Sequence, residues 1–356
     1  MLRINSLHHN HIMASNGTSF VPIVDLSPFT SGGNLESRRR AAKDLAEKGH
    51  INGSVGISGH GVSSDSLKEA FALVKKLFDL PYEDKMKAPH PDAVVPHRGY
   101  SGMGREKGAA KTATETDNSA EKDEYLNASD YKESYEVGSE ENSIQYNIWL
   151  PEEVLPGFRK DATELFWKLN NTANAILDAL IMSLDLTERE AESVRALHTG
   201  HENQLRFLHY PSISSEMLKN KDIGRLGAHT DWSSFTLLFQ DASGGLEFGD
   251  RKTGEFIPAT PHEGIVYMNI GDMFQRISNG FYPSALHRVV ISGKASGEPT
   301  PVRYSIPYFV VPLPDGVIEP QPSLVAAHGK QVYEPVTFNS YSEQMFKITQ
   351  IHDAKE

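Results

Sequence analysis

The chain has 356 residues, 38% of them hydrophobic and 23% charged, with a formal net charge of −12. That length allows a sizeable core in one large unit or two ordinary ones. The acidic balance weighs against nucleic acid and anionic lipid as partners, because both select clustered Lys and Arg. The absence of cysteine excludes disulfides, thiolate metal sites and thiol nucleophiles, so a metal would need His, Asp, Glu or backbone oxygen.

Residues 1–19 are polar, include His8, His9 and His11, and read as a disordered tail. No apolar leader is visible at the start, and no run reaches the roughly 18–20 apolar residues of a membrane span. The expectation is a cytoplasmic protein. Order begins near Phe20. A short β-rich run, Val21 to Leu26, precedes a helix expected over Glu36 to Lys48, with Gly49 placed to end it. Ser54 to Ile57 reads as a strand. Ser64 to Phe78 has Leu67, Phe71, Val74 and Leu77 at helical spacing, with Ser64 or Asp65 as candidate cap. Residues 106–129 are rich in Lys, Thr, Glu and Asp and read as a mobile loop, either a lid or an insertion. The longest helix is expected from Pro156 to Leu184, where Asn170 and Asn171 need partners or solvent.

After Asn203 the pattern changes. Candidate strands are Gln204–His209, Phe235–Gln240, Leu246–Phe248, Gly264–Ile270, His287–Ile291 and Arg303–Val310, separated by Gly, Pro, Asn and Asp. Helices followed by many short strands suggest a helical N-terminal region packed on a β sandwich or barrel.

Within this half, Gly227-Ala228-His229-Thr230-Asp231 places two metal-ligating side chains at i and i+2. At a strand end that spacing points both the same way. A further His287 could complete two histidines and one carboxylate, a set that holds non-haem iron and leaves positions open. His198, His201 and Glu202 form a second, weaker combination whose order does not fit the usual zinc-hydrolase motifs.

The ordered motifs are His229-x-Asp231, Gly245-Leu246, Asn269-x-Gly271-Asp272, Ser278-Asn279-Gly280, Leu286-His287-Arg288 and Arg303-x-Ser305. They follow Pro22 to Leu26, Gly59-His60-Gly61-Val62 and Arg98-Gly99-Tyr100 in the first half. Over roughly residues 20–350 the chain resembles the isopenicillin N synthase-like group of iron(II)/2-oxoglutarate dioxygenases. The resemblance implies a mainly β fold with flanking helices: a double-stranded β-helix (jelly roll) core at 201–315, a mostly helical region at 20–200 and a C-terminal extension at 316–350. It also implies Fe(II) as cofactor, with 2-oxoglutarate and O2 as cosubstrates. His229, Asp231 and His287 would be the metal ligands. Arg303, Ser305 and Tyr210 would bind the cosubstrate, Arg303 through a planar fork suited to a carboxylate. Asn269 is either a core polar residue or a support for the metal site.

Three stretches, Arg98 to Lys107, Lys132 to Gly138 and Leu205 to Pro211, look like fungal thymine hydroxylase and its relatives. Glu133, Tyr135, Asn203, Arg206 and Trp232 are the candidate substrate-pocket residues. The expected activity is oxidation of a C–H bond of a small organic molecule in fungal secondary metabolism, with succinate and CO2 released. Alternatives are a pyrimidine (thymine-type) hydroxylase, an oxidase of the isopenicillin N synthase type that uses no 2-oxoglutarate, and a non-catalytic binding protein on the same fold.

Overall fold

The computed structural model describes residues 20–92, 95–105, 129–219, 223–291 and 299–353. Its centre is an eight-stranded sheet. From edge to edge the strands are Ile23–Asp25, Ser54–Ser58, Val266–Ile270, Phe235–Gln240, Arg303–Val310, Gln204–Tyr210, Glu133–Gly138 and Gly99–Ser101. All pairings are antiparallel except the first. A four-stranded antiparallel sheet runs Phe256–Pro258, Leu246–Gly249, His287–Val289, Leu226–His229.

Alternation along the strands divides the large sheet into two faces. On strand Arg303–Val310, Ile306 and Tyr308 join the larger hydrophobic cluster with Phe166, Leu169, Leu205 and Phe207. That face is covered by helices Leu35–Asn52, Ser64–Phe78 and Phe158–Ser183. The opposite face carries Arg303 and Ser305. It looks onto the small sheet across a second cluster built from Leu208, Tyr210, Leu246, Phe248, Tyr267 and Val289. Two sheets enclosing such a core, with helices outside one of them, form the jelly roll. No described helix is long and apolar enough to cross a membrane.

The six strands expected after Asn203 all form, with Phe235–Gln240 and Arg303–Val310 at the expected bounds, and Ser54–Ser58 forms one residue longer than expected. The helices differ at their ends. Gly49 does not stop the first long helix, which continues to Asn52 and ends at Gly53, φ 72°. Gly49 is buried inside it against Tyr282, whose ring a Cβ there would meet at 3.0 Å. The cap of helix Ser64–Phe78 is Ser63, whose hydroxyl accepts from the Ser66 N–H, rather than Ser64 or Asp65. Asn170 is buried and accepts from Asn203 at 3.1 Å, while Asn171 faces solvent. The N-terminal half also supplies strands Gly99–Ser101 and Glu133–Gly138, whose mixed polar sequences hide them. The tail at 1–19 and nearly all of the loop at 106–129 lie outside the described residues.

Candidate metal centre

His229 ends strand Leu226–His229 and His287 begins strand His287–Val289; the two residues are register partners. Their rings lie 4.2 Å apart between centroids. Each ring is fixed by its own backbone. His229 Nδ1 donates to the Gly227 carbonyl at 2.9 Å and His287 Nδ1 to the Ala285 carbonyl at 3.0 Å. A carbonyl can only accept, so each Nδ1 carries a proton and Nε2 is the nitrogen of each ring that can ligate. Each Nε2 lies 3.7 Å from Asp231 Oδ1.

Asp231 is held as firmly. Its Oδ2 accepts from Thr236 Oγ1 at 2.6 Å and from Asn269 Nδ2 at 2.7 Å, which leaves Oδ1 facing the histidines. Its backbone carbonyl accepts from the Asp272 N–H at 2.8 Å. Gly271 is required at this turn, because a Cβ would come within 2.1 Å of the Ser233 carbonyl and 2.8 Å of that of Asp231. Burial, then the neighbouring His287, pushes the His229 pKa down to about 4. Burial alone would raise the Asp231 carboxyl, but the two imidazoles, Thr236 and Asn269 together hold it below the ordinary range. A neutral His229 imidazole and an ionised Asp231 carboxylate are forms a metal binds. The three ligand atoms lie within 4.8 Å of one another, the only such group among the described residues. The donor set fits one iron(II) ion with open positions, and the outer hydrogen bonds fit the usual support of such ligands.

Arg303 lies on the facing wall and is 0% exposed. Its Nε donates to the Gly244 carbonyl at 2.8 Å, Nη1 to Ser305 Oγ at 3.0 Å and Nη2 to Gln240 Oε1 at 3.3 Å. Its guanidinium sits 4.9 Å from the ring centroid of Tyr210, its register partner. These partners are all neutral. Among the described residues no carboxylate lies within salt-bridge distance, and burial lowers the Arg303 pKa. A buried cation among neutral acceptors is costly unless a counter-charge reaches it.

The pocket candidates separate by strand parity. Arg206 faces the same side as Arg303, pairing its Nε with Glu136 at 2.9 Å and its Nη2 with His97 Nε2 at 2.7 Å. Glu133 and Tyr135 point to the helical layer instead. Glu133 accepts from Lys85 at 2.7 Å, His209 at 2.6 Å and the Tyr100 hydroxyl. Tyr135 donates to the Ile148 carbonyl and packs edge-on against Phe158. Asn203 bonds Asn170, Tyr308 and the Val311 N–H, also on the helix side. Trp232 is half-buried against the same helix-side cluster. His198, by contrast with its sequence neighbours, is a buried core residue bonded to Val194 and Ser234, and burial lowers it to about 4. Thr236, Gln240 and Arg225 were not among the sequence candidates. Thr236 and Gln240 share the parity of Ser305 and Phe309 on the adjacent strand, a signal that appears only once strands are paired.

A jelly roll whose inner walls carry two histidines, one carboxylate and an opposed buried arginine defines a mononuclear non-haem metal oxygenase that takes a carboxylate cosubstrate. Comparison with known proteins narrows this. Residues 202–312 match the 2OG-Fe(II) oxygenase superfamily, and residues 21–152 match the N-terminal region of the non-haem dioxygenases in morphine synthesis. The 2-oxoglutarate-dependent dioxygenase frbA of a Dothideomycetidae species is 34% identical over 86% of this chain and 89% of its own. The 2-oxoglutarate-dependent dioxygenase gloF of Glarea lozoyensis is 35% identical over 82% and 88%. A crystal structure of a full-length Neurospora crassa protein with alpha-KG and thymine superposes with a TM-score of 0.79 at 31% identity, covering 94% of this chain and 98% of that one. The chain belongs to the 2OG-Fe(II) oxygenase superfamily, an enzyme family that uses iron(II) and 2-oxoglutarate.

Proposed function

We propose that the protein oxidises a C–H bond of a small organic molecule of fungal secondary metabolism, in the cytoplasm, with His229, Asp231 and His287 holding iron. The carrying observation is the opposition of the triad to Arg303 across one enclosed core. Iron held by these residues would supply chelation of the 2-oxo acid and activation of dioxygen, with succinate and CO2 as co-products. The chain's own residues do the rest. Arg303 and Ser305 fix the far carboxylate, so that the oxo-acid end projects toward the triad. Tyr210 walls that site. Thr236 and Asn269 keep Asp231 Oδ1 turned to the metal, and the backbone carbonyls of Gly227 and Ala285 keep both Nε2 atoms there. Arg206 and Glu136, paired at 2.9 Å on the same inner face, are assigned to the substrate end.

A second reading, a pyrimidine substrate, draws support from the Neurospora likeness, because that protein was solved with thymine. Two measurements separate the possibilities. Anaerobic titration of 2-oxoglutarate into the iron(II)-loaded protein is expected to give a saturable visible band that vanishes in His229→Ala. No band, with iron bound, would put the 2-oxoglutarate-independent oxidase first. Succinate release stimulated by thymine would select the pyrimidine reading; no stimulation would leave the natural-product class.

A further inference from the structure

Arg225 immediately precedes strand Leu226–His229 and is 1% exposed. Its Nη2 donates to the Pro301 carbonyl at 2.8 Å and reaches Thr300 Oγ1 at 3.4 Å. Its Nε and Nη1 are buried and have no partner among the described residues. The guanidinium lies 5.6 Å from the centroid of the Tyr210 ring, the ring that Arg303 approaches to 4.9 Å.

Tyr210 is thus shared by two buried guanidinium groups. Burial, then the charge of Arg303, lowers the Arg225 pKa to about 10, so it stays cationic at neutral pH. Asp241 is the acidic group that acts on both arginines among the described residues. Its oxygens already accept from the Tyr304 and Ser243 N–H groups. Among the described residues, one carboxylate against two cations leaves an excess positive charge in a buried place. Such an arrangement is unfavourable unless an incoming anion offsets it. Two N–H groups on Arg225 remain to meet that anion.

We propose that Arg225 is a second cation for the distal carboxylate of 2-oxoglutarate, acting beside Arg303 across Tyr210. The inference rests on the placement of that carboxylate at Arg303. It makes this end of the core selective for a dicarboxylate, where Arg303 alone would supply a single fork. The rival role for Arg225 is a clip that holds Pro301 ahead of strand Arg303–Val310.

The test compares two ligands on the iron(II)-loaded protein without oxygen: 2-oxoglutarate, and 2-oxopentanoate, which keeps the chelating end and chain length but lacks the far carboxylate. Binding is read by calorimetry. In Arg225→Met, the Kd for 2-oxoglutarate is expected to rise about 10- to 100-fold, the range for a lost charged hydrogen bond. The Kd for 2-oxopentanoate is expected to stay within about twofold on the same grounds, since it has no group for Arg225 to hold. An equal loss for both ligands, or no loss for either, overturns the proposal in favour of the clip. Arg225→Gln retains an N–H for the Pro301 carbonyl and serves as the second variant if the Met variant does not fold. A wild-type protein that binds the two acids equally would overturn the Arg303 placement itself; a wild-type preference that survives in both variants overturns only the role of Arg225.

Discussion

Glu133 and Arg303 are both buried charges in the same large sheet, two strands apart. On the helix-facing side, Glu133 receives Lys85, His209 and Tyr100, so its charge is met within the protein. On the inner side, Arg303 meets only neutral acceptors, and Arg225 beside it leaves two nitrogens unmet among the described residues. A buried charge met directly by its opposite stabilises the fold; one whose hydrogen-bond partners are all neutral, with Asp241 acting on it only from outside bonding distance, is the better candidate to receive an anion. Burial of charge alone does not separate the two cases.

That contrast can be broken most severely at the metal. His287→Ala removes one of three ligands and is expected to lower turnover by about 10³-fold or more, with loss of tightly bound iron. Metal analysis and an oxygen-uptake assay check it, and normal activity would sink the ligand assignment. Next comes Glu133→Gln, which leaves Lys85 buried without its carboxylate. The expected cost is about 3–5 kcal/mol of stability by urea unfolding, with 2-oxoglutarate affinity unchanged in the folded protein. Burial raises the Glu133 pKa, but bonds from His209, Lys85 and Tyr100 together bring it below its ordinary value. Its stabilisation is therefore complete above the unfolded-state value of roughly 4.3 and is lost as pH falls through the lower folded-state value. The wild-type protein should lose stability more steeply than Glu133→Gln on acidification below that point. Arg303→Lys acts on the other cluster. It keeps a charge but not the planar fork, so 2-oxoglutarate should bind about 10- to 100-fold more weakly while iron binding persists. An unchanged affinity would remove Arg303 from the cosubstrate site.

How much of this was legible depends on which periodicity carried it. His229, Asp231, Arg303 and Ser305 were named through ordered motifs that resemble a known family, with i, i+2 spacing as support: Arg303 and Ser305 do share a strand face, whereas Asp231 lies two residues past the end of its strand. The support of Asp231 by Thr236 and Asn269 was not legible, since it depends on the register that sets those two residues opposite each other. Strand Glu133–Gly138, which supplies the pocket candidates Glu133 and Tyr135, was not legible for a related reason. It carries acids at both parities, Glu133 and Glu136, and only its pairing with Gln204–Tyr210 tells which acid faces the helices. Glu136, opposite Arg206, has the inner position that sequence reading gave to Glu133. Arg225 escaped because the pairing next to it is irregular: His287 meets His229, while Val289 meets Leu226, so simple alternation fails there.

The mildest expected effect lies at the junction between the C-terminal helix and the metal turn. Tyr341, on helix Phe338–Asp353, donates to Asp272 Oδ2 at 2.6 Å, and the Asp272 N–H in turn holds the Asp231 carbonyl at 2.8 Å. Burial raises the Asp272 pKa despite bonds from Ser284, Tyr341 and Thr230. Tyr341→Phe removes one hydroxyl and leaves the ring packed, so the loss should be about 1 kcal/mol in unfolding free energy. The iron ligands themselves keep every bond that orients them, and iron affinity should move by less than about tenfold, the lower bound for losing a direct support. A larger drop in iron affinity than in stability would mean that the helix positions the metal turn, extending the ligand-receiving region to the C-terminal segment. Equal, small changes would place Tyr341 with Glu133, among the contacts that hold the fold.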